Sequence, residues 1–523
     1  MTDSGDDRRS FASRTPANDN PDKVVYRRGF VTRHQVTGWR FVMRRIASGV
    51  ALHDTRMLVD PLRTQTRAVL MGVIVLIAAL AGCFVFSLIR PNGSAANNPV
   101  LAERSTSALY VRVGDQLHPV LNLASARLIA GRPVNPTAVK SSELDKFPLG
   151  NLIGIPGAPQ RMVQNTRKDA DWTVCDAATG AVAGTTVIAG APDSTGARAK
   201  SLATGNAVLV SSHAGTWLLW DGRRSRIDLA DHAVTAALGL GPDIPSPRPV
   251  AGGLFNAIPE APPLTAPVIA DAGAPARFPV PGPIGAVVES HGLEATSGNG
   301  ALYYAVLPDG LQPVSPVLAA ILRNSNSYGL DQPPRLSADK VAKLPVSKAL
   351  DTSRYPEQRF SLVDASRDPV TCAHWSKLAG ASTNTLTLLA GSALPIPEAV
   401  HTEDLVGAGS GGTASRIALA PGTGYLAQTV GQGSSSPATG SLFWISDTGV
   451  RYGIDNEAAH AGPAGQSKTA EALGLDSPPT PAPWSILSLY APGPTLSRTD
   501  ALLAHDGLAP DSRPGRVQAE GQN

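Results

Sequence analysis

The longest uninterrupted apolar run is AVLMGVIVLIAALAGCFVFSLI, Ala68 to Ile89, 22 residues without a charged side chain. Coiled as an α-helix it reaches about 33 Å, enough to cross a hydrocarbon core of about 30 Å once. Residues 68–90 are therefore predicted to form a transmembrane helix. The run begins some 67 residues into the chain, too late for a cleavable signal peptide. Within it, Leu80 to Cys83 spell LAGC, the pattern at which lipoprotein precursors are cut. A lipidated cysteine ends its apolar region, whereas Phe84, Val85, Phe86, Leu88 and Ile89 continue this one, which favours a span.

Before the span the pattern changes period. Val36, Trp39, Met43, Ile46 and Val50 recur at helical spacing, with Arg40, Arg44 and Arg45 on other faces. The spacing predicts an amphipathic helix over 35–52 whose apolar stripe needs a cover, either a partner protein or the anionic inner leaflet. Little else in 1–67 offers a core, and the protein partner is the preferred reading. Residues 1–22 are polar and are predicted to be disordered.

After the span, Pro91 to Pro99 reads as a linker, and then a motif recurs. ALYVRVGDQLHPVLNLASAR (108–127), TWLLWDGRRSRIDLADHAVTAALGL (216–240), ALYYAVLPDGLQPVSPVLAAIL (301–322) and the segment 441–475 each read strand, turn, strand, Ala/Leu-rich helix. Their turns are built on Asp115, on Asp221-Gly222, on Asp309-Gly310 and on Asp447 to Gly449. The glycines of the ALGL endings at Leu240 and Leu475 suit helix C-caps. The Pro-rich stretch 242–283 reads as a connector.

Composition and charge narrow the picture. The 523 residues include 51 Gly and 45 Pro, so several domains of short elements are expected and an all-helical fold is disfavoured. Residues 1–67 carry 13 Lys and Arg against 7 Asp and Glu, and the remainder 32 against 35. Positive charge beside the span keeps the N-terminus cytoplasmic and sends the bulk outward. That bulk, with a net charge of −3, is no nucleic-acid-binding body.

Of three cysteines, only Cys175 and Cys372 lie outside the span. In an oxidising compartment they are expected to pair, and two separate buried thiols are the alternative. A bridge would close a loop of nearly 200 residues, stabilising by up to about 5 kcal/mol. Each cysteine has a Trp nearby, in DWTVCD and in DPVTCAHW, which suggests one core shared by the first and second pairs of repeats.

Together these segments resemble a known family. HQVTGWRFVMRRIASGVALHDTRMLVDPLRTQTRAVLMG, SALYVRVGDQLHPVLNLASARLI, LIGIPGAP (152–159), WTVCD (172–176), DTGVRYGI and PAPWSILSLYAPGPTLSR are similar, in this order, to EccB, the single-pass component of type VII (ESX) secretion systems. The resemblance covers most of residues 30–500. It implies an α+β protein with a cytoplasmic docking helix, one membrane helix, and a periplasmic part with a central β-rich domain, four small α/β repeat domains and a disulfide. It also implies assembly with EccC, EccD and EccE subunits and self-association. The expected division is 1–67 cytoplasmic; 68–90 span; 91–200 first repeat and first part of the central domain; 201–285 second repeat and linker; 286–350 third repeat; 351–430 second part of the central domain; 431–505 fourth repeat; 506–523 disordered tail.

Chemistry is sparse. Some family members are described as ATPases, yet the chain lacks the Gly-x-x-x-x-Gly-Lys-Ser/Thr loop that cradles phosphates. Its nearest fragment, Gly462 to Thr469 (GPAGQSKT), has the wrong spacing and lies on the exported side. The Gly-rich runs 407–412 and 431–440 contain no lysine and read as flexible loops. No HExxH, close His/Cys cluster or GxSxG is present, and His374 beside a cysteine expected to be oxidised makes no nucleophilic pair. No catalytic residue, metal or cofactor is expected. The leading reading is a structural subunit of a secretion complex; the rivals are a nucleotide-hydrolysing component and a membrane-anchored cell-wall-binding module.

Overall fold

The computed structural model describes residues 32–53, 61–89, 95, 97–180, 182–291, 300–408, 412–437, 439–455, 467–505 and 507. The expectations for 1–22, for most of 91–99 and, Gly507 apart, for 506–523 lie outside these residues. The chain divides into two compact units, one up to Asn92 and one from Gly93 onward.

The first unit contains two helices. Helix α1, Arg33–Leu52, opens with a capping box: the Thr32 hydroxyl accepts from the Gln35 amide while the Gln35 side chain accepts from the Thr32 amide at 2.9 Å. It ends at His53 in the left-handed conformation. Helix α2, Pro61–Ile89, starts seven residues before the apolar run, with proline at its first position, where no helical N–H is required.

The second unit is built from a recurring five-strand arrangement. In each case a three-strand antiparallel meander is followed by a helix, a strand returning parallel to the first meander strand, a further helical turn or loop, and a contact parallel to the third. The first instance uses Val100–Glu103, Leu109–Val113, Gln116–Pro119, helix Leu123–Ala130, Thr137–Val139 and a bridge at Leu149. The second uses Asn206–Ser212, Gly215–Trp220, Arg223–Arg226, helix His232–Ala237, Arg248–Pro249, helix Gly252–Ala257 and Glu260–Ala261. The third uses Val287–His291, Ala301–Leu307, Gly310–Val314, helix Pro316–Ser325, Arg335–Leu336 and a bridge at Val346. The fourth uses Tyr425–Val430, Leu442–Ile445, Val450–Ile454, helix Lys468–Leu473, Thr480–Pro483, helix Trp484–Leu487 and Ala491–Pro492.

The recurring text therefore marks only strands two and three and the first helix. The opening strand and the closing half were not visible in it. For the closing half the reason is proline: Pro249, Pro481, Pro483 and Pro492 occupy closing strands, where a missing N–H is tolerated at a sheet edge. For the same reason the Pro-rich stretch 242–283 is not only a connector, because Arg248–Ala261 completes the second sheet.

Among the repeats of the second unit lies a seven-stranded sheet made from two stretches of chain, 170–201 and 370–418, in the order 403–404, 416–418, 184–189, 170–177, 370–377, 385–391, 200–201. Its middle pair, Ala170–Ala177 against Val370–Lys377, is antiparallel over its whole length. Each part hands a strand to the other: 416–418 pairs with 184–189, and 200–201 pairs with 385–391. The repeats also pair across the chain. One core joins the first and fourth (Val111, Leu128, Leu426, Trp444, Leu473), and another joins the second and third (Leu218, Leu238, Leu307, Leu318). Alternation does the rest: Ala207 and Leu209 face the third repeat while Val208 and Val210 face the central sheet. The second and fourth repeats are thus inner layers, buried on both faces, and the first and third are outer.

Candidate functional site

The candidate sites fall into three groups, an amphipathic helix, a covalent closure and a set of turns. On α1 the side chains of Trp39, Met43, Ile46 and Val50 are exposed, Trp39 by 64% and Val50 by 73%, and Val36 lies beside them. The structure places all five on one face of a single helix and covers none of them. On α2 the stretch Gln65–Phe86 is long and apolar enough to cross a membrane, and no other helix among the described residues is. The helix includes Thr66 and Arg67 ahead of the apolar run and ends at Ile89.

Cys175 and Cys372 are bonded to each other, 197 residues apart in sequence and directly opposite in the central antiparallel pair. The alternative of two separate thiols is thereby removed. Their neighbouring tryptophans, however, do not share their core. Trp172 and Trp375 also face each other across the pair, but each is three residues from its cysteine, and a strand alternates faces every residue. The disulfide packs with Ile188, Val370 and Leu389 on one face; Trp172 and Trp375 lie on the other, against the inner repeats. Nor are the repeats paired in sequence order, since the first joins the fourth and the second joins the third.

Trp172 is fully buried, its indole N–H donates to the Pro481 carbonyl at 2.9 Å, and its ring lies 5.3 Å from that of Tyr425 and 6.4 Å from that of Tyr490. Arg248 provides a second clamp, donating at 2.6 Å to the Thr371 hydroxyl beside Cys372. Burial lowers the pKa of its guanidinium and raises that of the Tyr490 phenol well above the ordinary value.

The predicted turns divide by layer. Gly222 (φ +69°) and Gly449 (φ +76°), in the inner repeats, rest on the central sheet. A Cβ at Gly222 would stand 2.3 Å from the Leu386 carbonyl oxygen, and one at Gly449 2.6 Å from the Ile417 side chain. The outer turns do not reach it. Gly114, preceding Asp115, has open space around it, and Gly310, following Asp309, meets Pro345 of its own repeat. Asp221 pairs with Arg223 at 2.8 Å. Asp447 lies in the turn closed by the Gly449 amide donating to the Ser446 carbonyl.

A matching device that sequence reading missed sits in the inner repeats. Arg224 lies 3.9 Å over the Phe255 ring and donates to the Ile258 carbonyl at 2.8 Å. Arg451 lies 4.6 Å over Trp484 and donates to the Leu487 carbonyl at 2.7 Å. Each arginine is second in its strand and holds the helix that follows the closing strand. The signal was an Arg at the same place in RRSR and VRYGI, legible only once strand three is aligned.

The geometry offers little chemistry. A cleft of about 410 Å³ between the second repeat and the central sheet has one basic lining residue, Arg223, already paired with Asp221 and bonded to the Ser353 carbonyl. Among the described residues that leaves no unpaired cation lining the cleft for a phosphate chain. His374 contacts Thr173 at 2.9 Å and lies 3.4 Å from Asp171, but Thr173 is fully buried in the sheet. Among the described residues no group of three His, Cys, Asp or Glu could hold a metal. Residues 462–466 of the GPAGQSKT fragment lie outside the described residues, and Lys468 opens a helix capped by the Ser467 hydroxyl.

Together these features define a membrane-span protein with a disulfide-closed α+β body of paired repeats. Residues 28–510 match the family model described as type VII secretion system ESX-1, transport TM domain B, and the chain belongs to this EccB family. It is 72% identical over 525 residues to the ESX-3 secretion system ATPase EccB3 of Mycobacterium tuberculosis, covering 98% of this chain and 97% of that one. It is 37% identical to the ESX-5 secretion system ATPase EccB5 of Mycobacterium marinum, covering 94% and 97%. Among solved structures it is similar to the EccB3 dimer from the ESX-3 core complex, at 58% identity and a TM-score of 0.69, covering 78% of this chain and all of that one. It is also similar to a chain of an intact ESX-5 inner membrane complex, at 37% identity and a TM-score of 0.72, covering 94% and 99%.

Proposed function

We propose that this chain is the EccB subunit of an ESX-3-type secretion complex and acts as a structural element rather than as an enzyme. It sits in the cytoplasmic membrane with α1 inside and the repeat body on the periplasmic side. The body organises that side of the complex, and α1 holds the chain to other core subunits of the EccC, EccD and EccE kind. The assignment to the ESX-3 type rests on 72% identity to an ESX-3 relative against 37% to ESX-5 and ESX-1 relatives.

The observation that carries the structural reading is the contrast between the two units: a body that closes on itself through a disulfide and cross-chain cores, and a well-capped helix with its whole stripe bare. The word ATPase in the relatives' names gives the rival reading its weight, and an assay separates the two. Full-length protein purified free of any motor ATPase is expected to hydrolyse no nucleotide above a heat-killed control, and mildly solubilised membranes to yield it together with other secretion subunits. Sustained turnover by the isolated chain would overturn the structural reading, as would recovery of the chain only with cell-wall material.

A further inference from the structure

We infer that the groove receiving α1 is a protein groove with two unlike walls, one acidic and one close-packed. This rests on the docking reading above and adds the chemistry of the partner. Helix α1 contains no acidic residue. At about 100° per residue, Arg33, Arg40 and Arg44 fall within about 40° of one another, along one border of the Val36–Val50 stripe. Gly38 and Gly49 fall together along the opposite border, and a Cβ at either would meet nothing within 4 Å. The stripe is thus flanked by a cationic ridge on one side and by bare backbone on the other.

Such asymmetry suits a groove. Guanidinium groups in a line match a row of carboxylates on one wall, and a glycine line lets the other wall approach the helix axis closely, with the apolar stripe filling the floor between them. A lipid surface has no left and right. A helix lying on an anionic leaflet gains equally from cations on both borders and keeps its far side polar. Here the far side carries Phe41, about 180° from the centre of the stripe and 39% exposed. An aromatic ring left in water is the opposite of what a leaflet requires; in an assembly it gains a second contact.

The test uses the full chain in its own membranes, read as the fraction migrating in the large complex on native gels after mild solubilisation. Arg40→Glu and Arg44→Glu, singly, are expected to reduce that fraction at least tenfold. Arg45→Glu, the same charge change off the ridge, is expected to alter it less than twofold, and Gly38→Leu and Phe41→Asp to reduce it at least fivefold. Glu and Leu are both good helix formers, so the effects of Arg40→Glu, Arg44→Glu and Gly38→Leu would not stem from loss of the helix. Equal release by Arg40→Glu, Arg44→Glu and Arg45→Glu, with Phe41→Asp tolerated, is the signature of an anionic leaflet and overturns the inference. Release by Trp39→Asp but not by Arg40→Glu or Arg44→Glu overturns the acidic wall while leaving the docking reading intact. No release by Trp39→Asp overturns both.

Discussion

Two amphipathic helices of this chain follow the same local rules and end differently. Helix α1 and the helix Pro316–Ser325 both begin at a hydroxyl cap, Thr32 and Ser315, and both carry an apolar stripe at helical spacing. In the second, Val317, Leu318, Ile321 and Leu322 are buried against the second repeat, and Asn324 donates to the Ala233 carbonyl at 3.0 Å. In the first, Trp39, Ile46 and Val50 remain bare. Capping and periodicity decide that a helix forms; they do not decide what covers it. Within the second unit the helices of the four repeats place their apolar residues in cores shared with another repeat, whereas the stripe of α1 is bare among the described residues.

The comparison can be broken at the closure first. Replacing Cys175 and Cys372 together by serine is expected to lower the stability of the exported body by up to about 5 kcal/mol, the loop-entropy effect of a bridge spanning 197 residues. Chemical denaturation followed by tryptophan fluorescence measures it, and an unchanged midpoint would show that the bridge closes nothing. Trp172→Ala is expected to cost about 4 kcal/mol, because it opens a cavity beside Tyr425 and Tyr490 and leaves the Pro481 carbonyl without its donor. The same denaturation curve reads the loss. Arg248→Ala should cost about 2 kcal/mol through the buried Thr371 hydroxyl it abandons, with the midpoint moving by roughly half as much as for Trp172→Ala.

A pH scan sharpens the same point. Burial raises the phenol pKa of Tyr425, Tyr452 and Tyr490, which lie where the fourth repeat meets the rest of the body. Below the unfolded value of about 10 these phenols are neutral in both states and their contribution is fully present. Above it the unfolded chain ionises first, so stability is lost as pH rises through the raised folded values. Melting temperatures should therefore fall beyond about pH 10, in step with ultraviolet absorbance of phenolate. Phenolate absorbance at pH 10 in the intact fold that disappears on replacing Tyr425, Tyr452 or Tyr490 by phenylalanine would contradict this.

How much of this was legible in the sequence depended on what each residue had to do alone. The stripe of α1, the apolar run and the ALGL caps are local signals. Gly239 and Gly474 do take left-handed backbone, and Leu240 and Leu475 donate back to Thr235 and Ala470. The hairpins around Asp221-Gly222 and Asp447 to Gly449 were legible for the same reason, as were the two cysteines as a possible pair. What escaped depends on partners distant in sequence. The opening strands 206–212 and 425–430 are apolar on both faces because both faces are covered, which erases the alternation that marks a strand. Proline disguised the closing strands. The sharing of one core by Cys175 and Trp172 failed on a spacing of three residues, which a strand converts into opposite faces. The pairing of first repeat with fourth and second with third carries no local signature.

The smallest expected effect on stability is also the most direct test of the central claim. Trp39→Asp alters an exposed side chain, so the denaturation midpoint should shift by no more than about 0.5 kcal/mol. On native gels of mildly solubilised membranes, however, the same variant should leave the large complex and run as a smaller species while remaining inserted. Retention of Trp39→Asp in a complex of unchanged size would contradict the account.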